Sequence, residues 1–271
     1  MSTESRQREA AVFDQHVGES PLVVSFPHSG TQVPAAFADR FVGAAERLPD
    51  TDWCVPELYD FVADYGASTI VARMTRYVVD LNRPPSSERL YAAHASTGVC
   101  PTTTFSGEAI YREGDEPDDA ERKLRIERYW QPYHDALEAL MTATADRFGY
   151  ALLYDAHSIA PIVPRLFTGT LPSLNLGTAH GESCDPALSA RIESVIEDSP
   201  YTHAINGRFV GGYITRHYGQ PERHWHAVQM ELSQHTHLNV ETATLDPALT
   251  QKLRKTLRAV MHAFTVEPPR D

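Results

Sequence analysis

Four side chains in this sequence have the types and settings to do chemistry together: His28, Asp52, His157 and Glu231. His28 lies in the small-residue turn Pro27-His28-Ser29-Gly30, just after the apolar run Pro21 to Phe26. Asp52 stands where a helix N-cap belongs. His157 follows Asp155 at the end of the apolar run Ala151-Leu152-Leu153-Tyr154, and strand alternation would put both on one face. Two imidazoles and one carboxylate leave a fourth position open, the ligand set of a catalytic zinc site. Zinc held in this way lowers the pKa of bound water to roughly 7. Glu231, inside the apolar run Ala227 to Leu232, is costly to bury without a partner or a task, and proton transfer is such a task. Asp155 can orient His157 through its second ring nitrogen. Plainer readings stand beside these: a surface turn histidine at 28, and helix capping by Asp50, Thr51 or Asp52.

Arg83, Arg165 and Arg216 lie in glycine- or proline-rich settings, Arg165 directly after Pro161-Ile162-Val163-Pro164. Guanidinium is the preferred fork for a carboxylate. The chain is acidic, with 24 Lys and Arg against 36 Asp and Glu, so loop arginines near a metal imply a small anionic substrate. Ordinary surface salt bridges are the alternative. Arg122, Arg125 and Arg128 read as a solvated helix face. The chain has 13 histidines, so chance groupings must be weighed. His224, His226, His235 and His237 could form a competing ligand cluster but read as solvent-facing turns. His94, His180 and His217 are candidates for substrate contact, and His16, His134, His203 and His262 read as structural or solvated.

These residues need elements to carry them. Apolar runs predict strands over 21–26, 68–72, 77–83, 151–154, 174–177, 201–205 and 227–232. Helical periodicity predicts helices over 53–64, 118–148, 186–197 and 246–264, the second kinked by Pro132 and stopped by Gly149. Residues 1–20 read as a loose lead-in, 84–116 as a long functional loop and 211–219 as a glycine-flanked loop. Strands and helices alternate without a repeat or a linker, which predicts a single α/β domain over 1–271. A net charge of -12 argues against nucleic acid. No apolar run approaches the ~20 residues of a membrane span, and the first 20 residues lack a signal-peptide core. Cys54, Cys100 and Cys184 make no CxxC pair and read as reduced thiols of a cytoplasmic protein. Nothing in the sequence sets the oligomeric state.

The strings SFPHSG, LPDTDW, YVVDLNRP, FSGEAIYREG, YDAHSIAP, VPRLF, LPSLNLGT, NGRF, GGYITRHYG and HAVQMELSQ occur in this order. Together they resemble the N-formylglutamate deformylases of histidine degradation, over roughly residues 20 to 240. The resemblance implies hydrolysis of N-formyl-L-glutamate to formate and L-glutamate. It implies a zinc-carboxypeptidase-like (phosphorylase/hydrolase-like) α/β fold, a mixed sheet flanked by helices, and one divalent metal ion, zinc first and cobalt second. Carried onto this chain, His28, Asp52 and His157 look like the metal ligands, with Asp50 as the alternative to Asp52, and Glu231 like the catalytic glutamate. Asn82 and Arg83 look like a clamp on the substrate α-carboxylate. Arg165 and Arg216 are then candidates for the side-chain carboxylate or for the tetrahedral oxyanion, with Arg165 counted as catalytic as well as substrate-binding. Arg223 and Trp225, and the segment Gln234 to His237, depart from the family pattern and bear on acyl preference. A related zinc amidase or carboxypeptidase, acting on another N-acyl amino acid or a small peptide, is the nearest alternative. A non-catalytic binder of acidic metabolites is a further one, disfavoured because a binder needs no general base.

Overall fold

A computed structural model of the chain describes residues 11–86 and 97–269. Its centre is a seven-stranded sheet formed by β1 (Phe13–His16), β2 (Leu22–Phe26), β3 (Ser68–Ala72), β4 (Ala151–Ile159), β5 (Leu174–Gly177), β6 (His203–Ile205) and β7 (Trp225–Ser233). The strand order is β1-β3-β2-β4-β7-β5-β6. The inner strands β3, β2, β4 and β7 are parallel, β1 pairs antiparallel to β3, and β5 pairs antiparallel to β7. The sheet is therefore mixed. Every residue of β2, β4 and β7 is buried, as parallel strands covered on both faces require.

The helices are α1 (Ala35–Ala38), α2 (Val55–Leu58), α3 (Asp119–Arg125), α4 (Gln131–Phe148), α5 (Pro186–Glu197), α6 (Tyr213–Tyr218) and α7 (Pro247–Thr265). One sheet face, carrying Leu152, Tyr154, Ala156, Val228 and Met230, packs on α2, α5 and α7. The other carries Val23, Ala151, Leu153 and Ala227 against α4 and α6. Along this second face the strands begin apolar and end polar: Ser25, Asp155, His157, Gln229 and Glu231 follow at period two. The polar ends lie where a parallel sheet opens a crevice beyond its strand C-termini. No helix among the described residues is long and apolar enough to cross a membrane.

Several expectations are corrected. Residues 13–16 form the edge strand β1 rather than part of a loose lead-in. Residues 77–83 make successive turns, not a strand: Val78 N–H donates to Thr75 O, and the Asp80 side chain accepts from Asn82 N–H. Their apolar side chains are core all the same, Val78, Val79 and Leu81 packing with α4. The long helix is interrupted by a π-helical stretch at Ile126–Trp130, and Pro132 then falls in the first turn of α4. There its missing N–H costs no helical bond, so the chain accommodates proline by inserting a π turn before it. Residues 213–218 are helical, not loop, and the 53–64 helix divides into α2 and a 3-10 stretch at Asp60–Tyr65. Arg125, expected on a solvated face, is fully buried and donates to Tyr77 O, Val78 O and Tyr111 Oη. Part of the long loop expected at 84–116, with His94, lies outside the described residues.

Candidate active site

The turn after β2 carries His28, and Gly30 makes that turn possible. A Cβ at Gly30 would lie 2.3 Å from Met74 O, so only glycine lets this turn close on the neighbouring backbone. Asp52 enters from the segment before α2, tied down by its own N–H donating to His28 O. His157 and Glu231 come from adjacent strands and face each other in the β4–β7 register. The ligand atoms of His28, Asp52 and His157 lie within 4.8 Å of one another, and all three residues are buried.

Hydrogen bonds set the direction of each imidazole. His28 Nε2–H donates to Asp80 Oδ1 at 2.8 Å, and His157 Nε2–H donates to Asp155 Oδ2 at 2.9 Å. With Nε2 engaged, the two Nδ1 atoms turn inward, 3.2 Å apart. Asp52 Oδ2 is 2.9 Å from His157 Nδ1 and 3.8 Å from His28 Nδ1. Two lone pairs and a carboxylate oxygen converge on one point, with a carboxylate behind each ring, the arrangement by which proteins hold divalent metals. These residues fit a metal. Burial alone would lower His157, but Asp155 and Asp52 outweigh it and favour a proton there, a proton that a metal would have to displace from Nδ1. His28 is lowered, by burial first and then by Arg76. Burial opposes ionisation of Asp80, yet Arg76, its ion-pair partner at 2.7 Å, holds it well below the usual carboxylate range.

Glu231 is pushed up to about 8, chiefly by burial. Gln229 reaches its carboxylate, with Nε2 donating to Oε2 at 3.3 Å. The amide cannot face the other way, because Gly212 N–H donates to Gln229 Oε1 at 2.7 Å. Gly212 is itself required, since a Cβ there would lie 2.4 Å from Asn82 Nδ2. Asn82 in turn donates to Asp155 Oδ2 at 3.0 Å and accepts from Ile214 N–H at 2.8 Å.

One cavity opens onto this group. Its floor is His28, Asp52, His157 and Glu231, and its walls include Arg76, Asn82, Arg83, Phe105, Leu166, Arg208, Phe209 and Gln229. Arg83 is anchored by Nε to Thr97 O and by Nη1 to Asn82 O. Arg165 and Arg216 do not line the cavity. Arg165 is exposed and donates to Thr103 Oγ1 and Thr104 O, while Arg216, exposed on α6, folds its Nε back onto Gly211 O. Asp50 is also outside the ligand group, accepting from Tyr77 Oη–H and Phe105 N–H. His180 and His217 are exposed and away from the cavity lining, and His226 and His237 are buried rather than solvent-facing.

Sequence reasoning missed Asp80, Arg76, Gln229 and Arg208. Gln229 had a usable signal, sitting two positions before Glu231 and so on its face of the strand. Asp80 lay inside a motif already noted for Asn82 and Arg83. Arg208 likewise lay inside the string NGRF, and nothing local marks Arg76.

A mixed α/β sheet whose strand ends gather a buried His-Asp-His set beside a buried glutamate defines a candidate metal-dependent hydrolase. A profile of the N-formylglutamate amidohydrolase family matches residues 20–238. An N-formylglutamate deformylase of Pseudomonas putida is 47% identical over 255 residues, spanning 93% of this chain and 95% of that protein. One from Pseudomonas aeruginosa is 48% identical over 249 residues, spanning 91% and 93%. The crystal structure of an N-formylglutamate amidohydrolase from Ralstonia eutropha superposes with a TM-score of 0.74 at 27% identity, over 93% of this chain and 98% of that one. A gene product of Agrobacterium tumefaciens shares the fold, with a TM-score of 0.71 at 17% identity over 95% of each chain. The chain belongs to the N-formylglutamate amidohydrolase family.

Proposed function

We propose that this chain hydrolyses N-formyl-L-glutamate to formate and L-glutamate, with one divalent metal, zinc or cobalt, held by His28, Asp52 and His157. The observation that carries the reading is the convergence of those three buried ligand atoms within 4.8 Å, in a chain 47% identical to an N-formylglutamate deformylase. When bound, the metal supplies a polarised amide carbonyl and a water of lowered pKa.

The chain's own residues do the rest. Glu231 takes the proton of the attacking water on a carboxylate oxygen and returns it to the departing glutamate nitrogen. Burial raises its proton affinity, which suits the return of the proton, and the charge of a bound metal would keep the carboxylate available to take it. Gln229 holds the carboxylate in register with His157. Asp80 and Asp155 keep both imidazoles turned with Nδ1 inward. Arg83 forks the substrate α-carboxylate, and Asn82 ties that wall of the cavity to Asp155. Arg165 and Arg216 receive no substrate contact in this reading, since their guanidinium groups bond neighbouring backbone outside the cavity.

The architecture is read as zinc-carboxypeptidase-like, supported by a mixed sheet with its polar ends at the C-termini of parallel strands. We read the chain, 1–271, as one hydrolytic domain, supported by a seven-stranded sheet that draws strands from Phe13 to Ser233. The reading places the enzyme in the cytoplasm, in a histidine-degradation route, consistent with three free cysteines. The test is formate release from N-formyl-L-glutamate by chelator-stripped enzyme before and after added zinc or cobalt. Activity should vanish and return. Full activity in stripped enzyme would overturn the metal role, and turnover of N-acetyl amino acids or dipeptides in preference to N-formyl-L-glutamate would overturn the substrate.

A further inference from the structure

The cavity contains a cation that the reaction described above does not use. Arg208 follows β6 in the string Asn206-Gly207-Arg208-Phe209 and lines the same cavity as the His-Asp-His group and Arg83. Its Nε donates to Leu166 O at 2.6 Å, and its guanidinium lies 5.3 Å from the centre of the Phe209 ring. Leu166 and Phe209 are themselves cavity walls. The arginine is thus held at one edge by a backbone carbonyl and steadied by an aromatic face, which pre-organises the planar fork for an oxyanion ligand. Arg83 is built the same way on another segment, its Nε on Thr97 O. Arg76, the remaining cavity arginine, is committed to Asp80. N-formyl-L-glutamate is a dianion, and one guanidinium fork answers one carboxylate.

We propose that Arg208 is the specificity-determining residue that binds the side-chain carboxylate of the substrate, while Arg83 takes the α-carboxylate. The inference rests on the proposed function. Arg208, not Arg165 or Arg216, then makes the enzyme selective for an acidic side chain. Binding at that end fixes the amide against the cavity floor, so loss of the fork falls mainly on KM if the amide is still aligned.

The test compares N-formyl-L-glutamate with N-formyl-L-glutamine, an isostere whose side chain is neutral, in wild type, R208Q, R208K and R83Q, all metal-loaded. Wild-type turnover of N-formyl-L-glutamate comes first, and its absence would remove the proposed function and this inference with it. Given that turnover, R208Q should lose about 100-fold or more in kcat/KM on the glutamate substrate, the size of a charge-assisted bond left unmade. It should lose less than about 3-fold on the glutamine substrate, whose amide needs no cation. R208K, which keeps charge without the fork, should fall between and retain part of the selectivity. R83Q should lose comparably on both substrates, because both carry the α-carboxylate. Equal losses on the two substrates in both Arg208 variants would overturn the proposal, as would selectivity that collapses in R83Q and survives in R208Q. If R208Q does not fold, as judged by circular dichroism, R208K decides: unchanged selectivity there, with a native melting curve and unchanged KM, also overturns it.

Discussion

At the scale of single residues, the site is governed by what stands behind each working atom. His28 could present either ring nitrogen, and it is Asp80, at 2.8 Å from Nε2, that turns Nδ1 inward. Asp80→Asn keeps the size but loses the carboxylate, so metal affinity should fall by about 10- to 100-fold. Competition with a fluorescent chelator measures this, and unchanged affinity would show the partner to be incidental. Glu231→Gln removes the proton carrier without removing a proposed ligand. Its kcat should drop by about 100- to 10,000-fold while bound metal stays stoichiometric. Near-normal turnover with metal bound would end the assignment of Glu231 as general base.

At the scale of elements, the α3–α4 helix holds the cavity wall. Its π turn at Ile126–Trp130 brings Trp130 Nε1–H onto Arg83 O at 3.0 Å, and one turn later His134 Nε2–H donates to Leu81 O at 2.9 Å. The two bonds bracket Asn82, so the helix clamps the 81–83 turns from both sides. Trp130→Phe keeps the packing and deletes one bond, and KM should rise several-fold with kcat changed less, as measured by steady-state kinetics on N-formyl-L-glutamate. His134 is also an acid liability. Burial lowers it to about 3, against 6.5 for the free side chain. Between those values the unfolded chain binds a proton that the folded chain refuses, so stability is full above pH 6.5 and declines as pH falls towards 3. The slope is about 1.4 kcal/mol per pH unit for this one group. Urea melts at pH 7, 6 and 5 should show that decline, and His134→Gln should make it shallower while His226 and His237, lowered to about 4 by burial, still contribute.

For the whole molecule, the parallel β2-β4-β7 core carries its polar ends to one place, and each strand contributes from a distant part of the chain. A ligand that bridges the β2 turn, the segment before α2 and β4 ties those parts together. Added zinc should therefore raise the melting temperature, increasingly with concentration, and chelator should lower it, since any ligand bound only by the folded state stabilises by mass action. A scan that does not move with either would mean that no metal is held by the folded protein.

The sequence by itself singled out His28, His157 and Glu231 as candidates, because polar residues within or just after apolar runs are costly there, and Asp52 by its place before a helix; that the four share one cavity floor was decided by the tertiary structure. It also determined β2, β3, β5, α5 and α7 nearly to the residue, since unbroken apolar runs and capped amphipathic periods are local signals. What only the tertiary structure decided depends on contacts between segments far apart in the chain. The apolar content of 77–83 suggested a strand, yet those side chains are buried from turns whose bonds run to Val99, Arg125 and Trp130 or within themselves. Arg165 and Arg208 are both arginines in irregular settings, indistinguishable by composition. The first bonds Thr103 and Thr104 outside the cavity, and the second reaches it because Leu166 O catches its Nε. A side chain's type is written at its own position, but the cavity it faces is set by the packing of segments that no local pattern encodes.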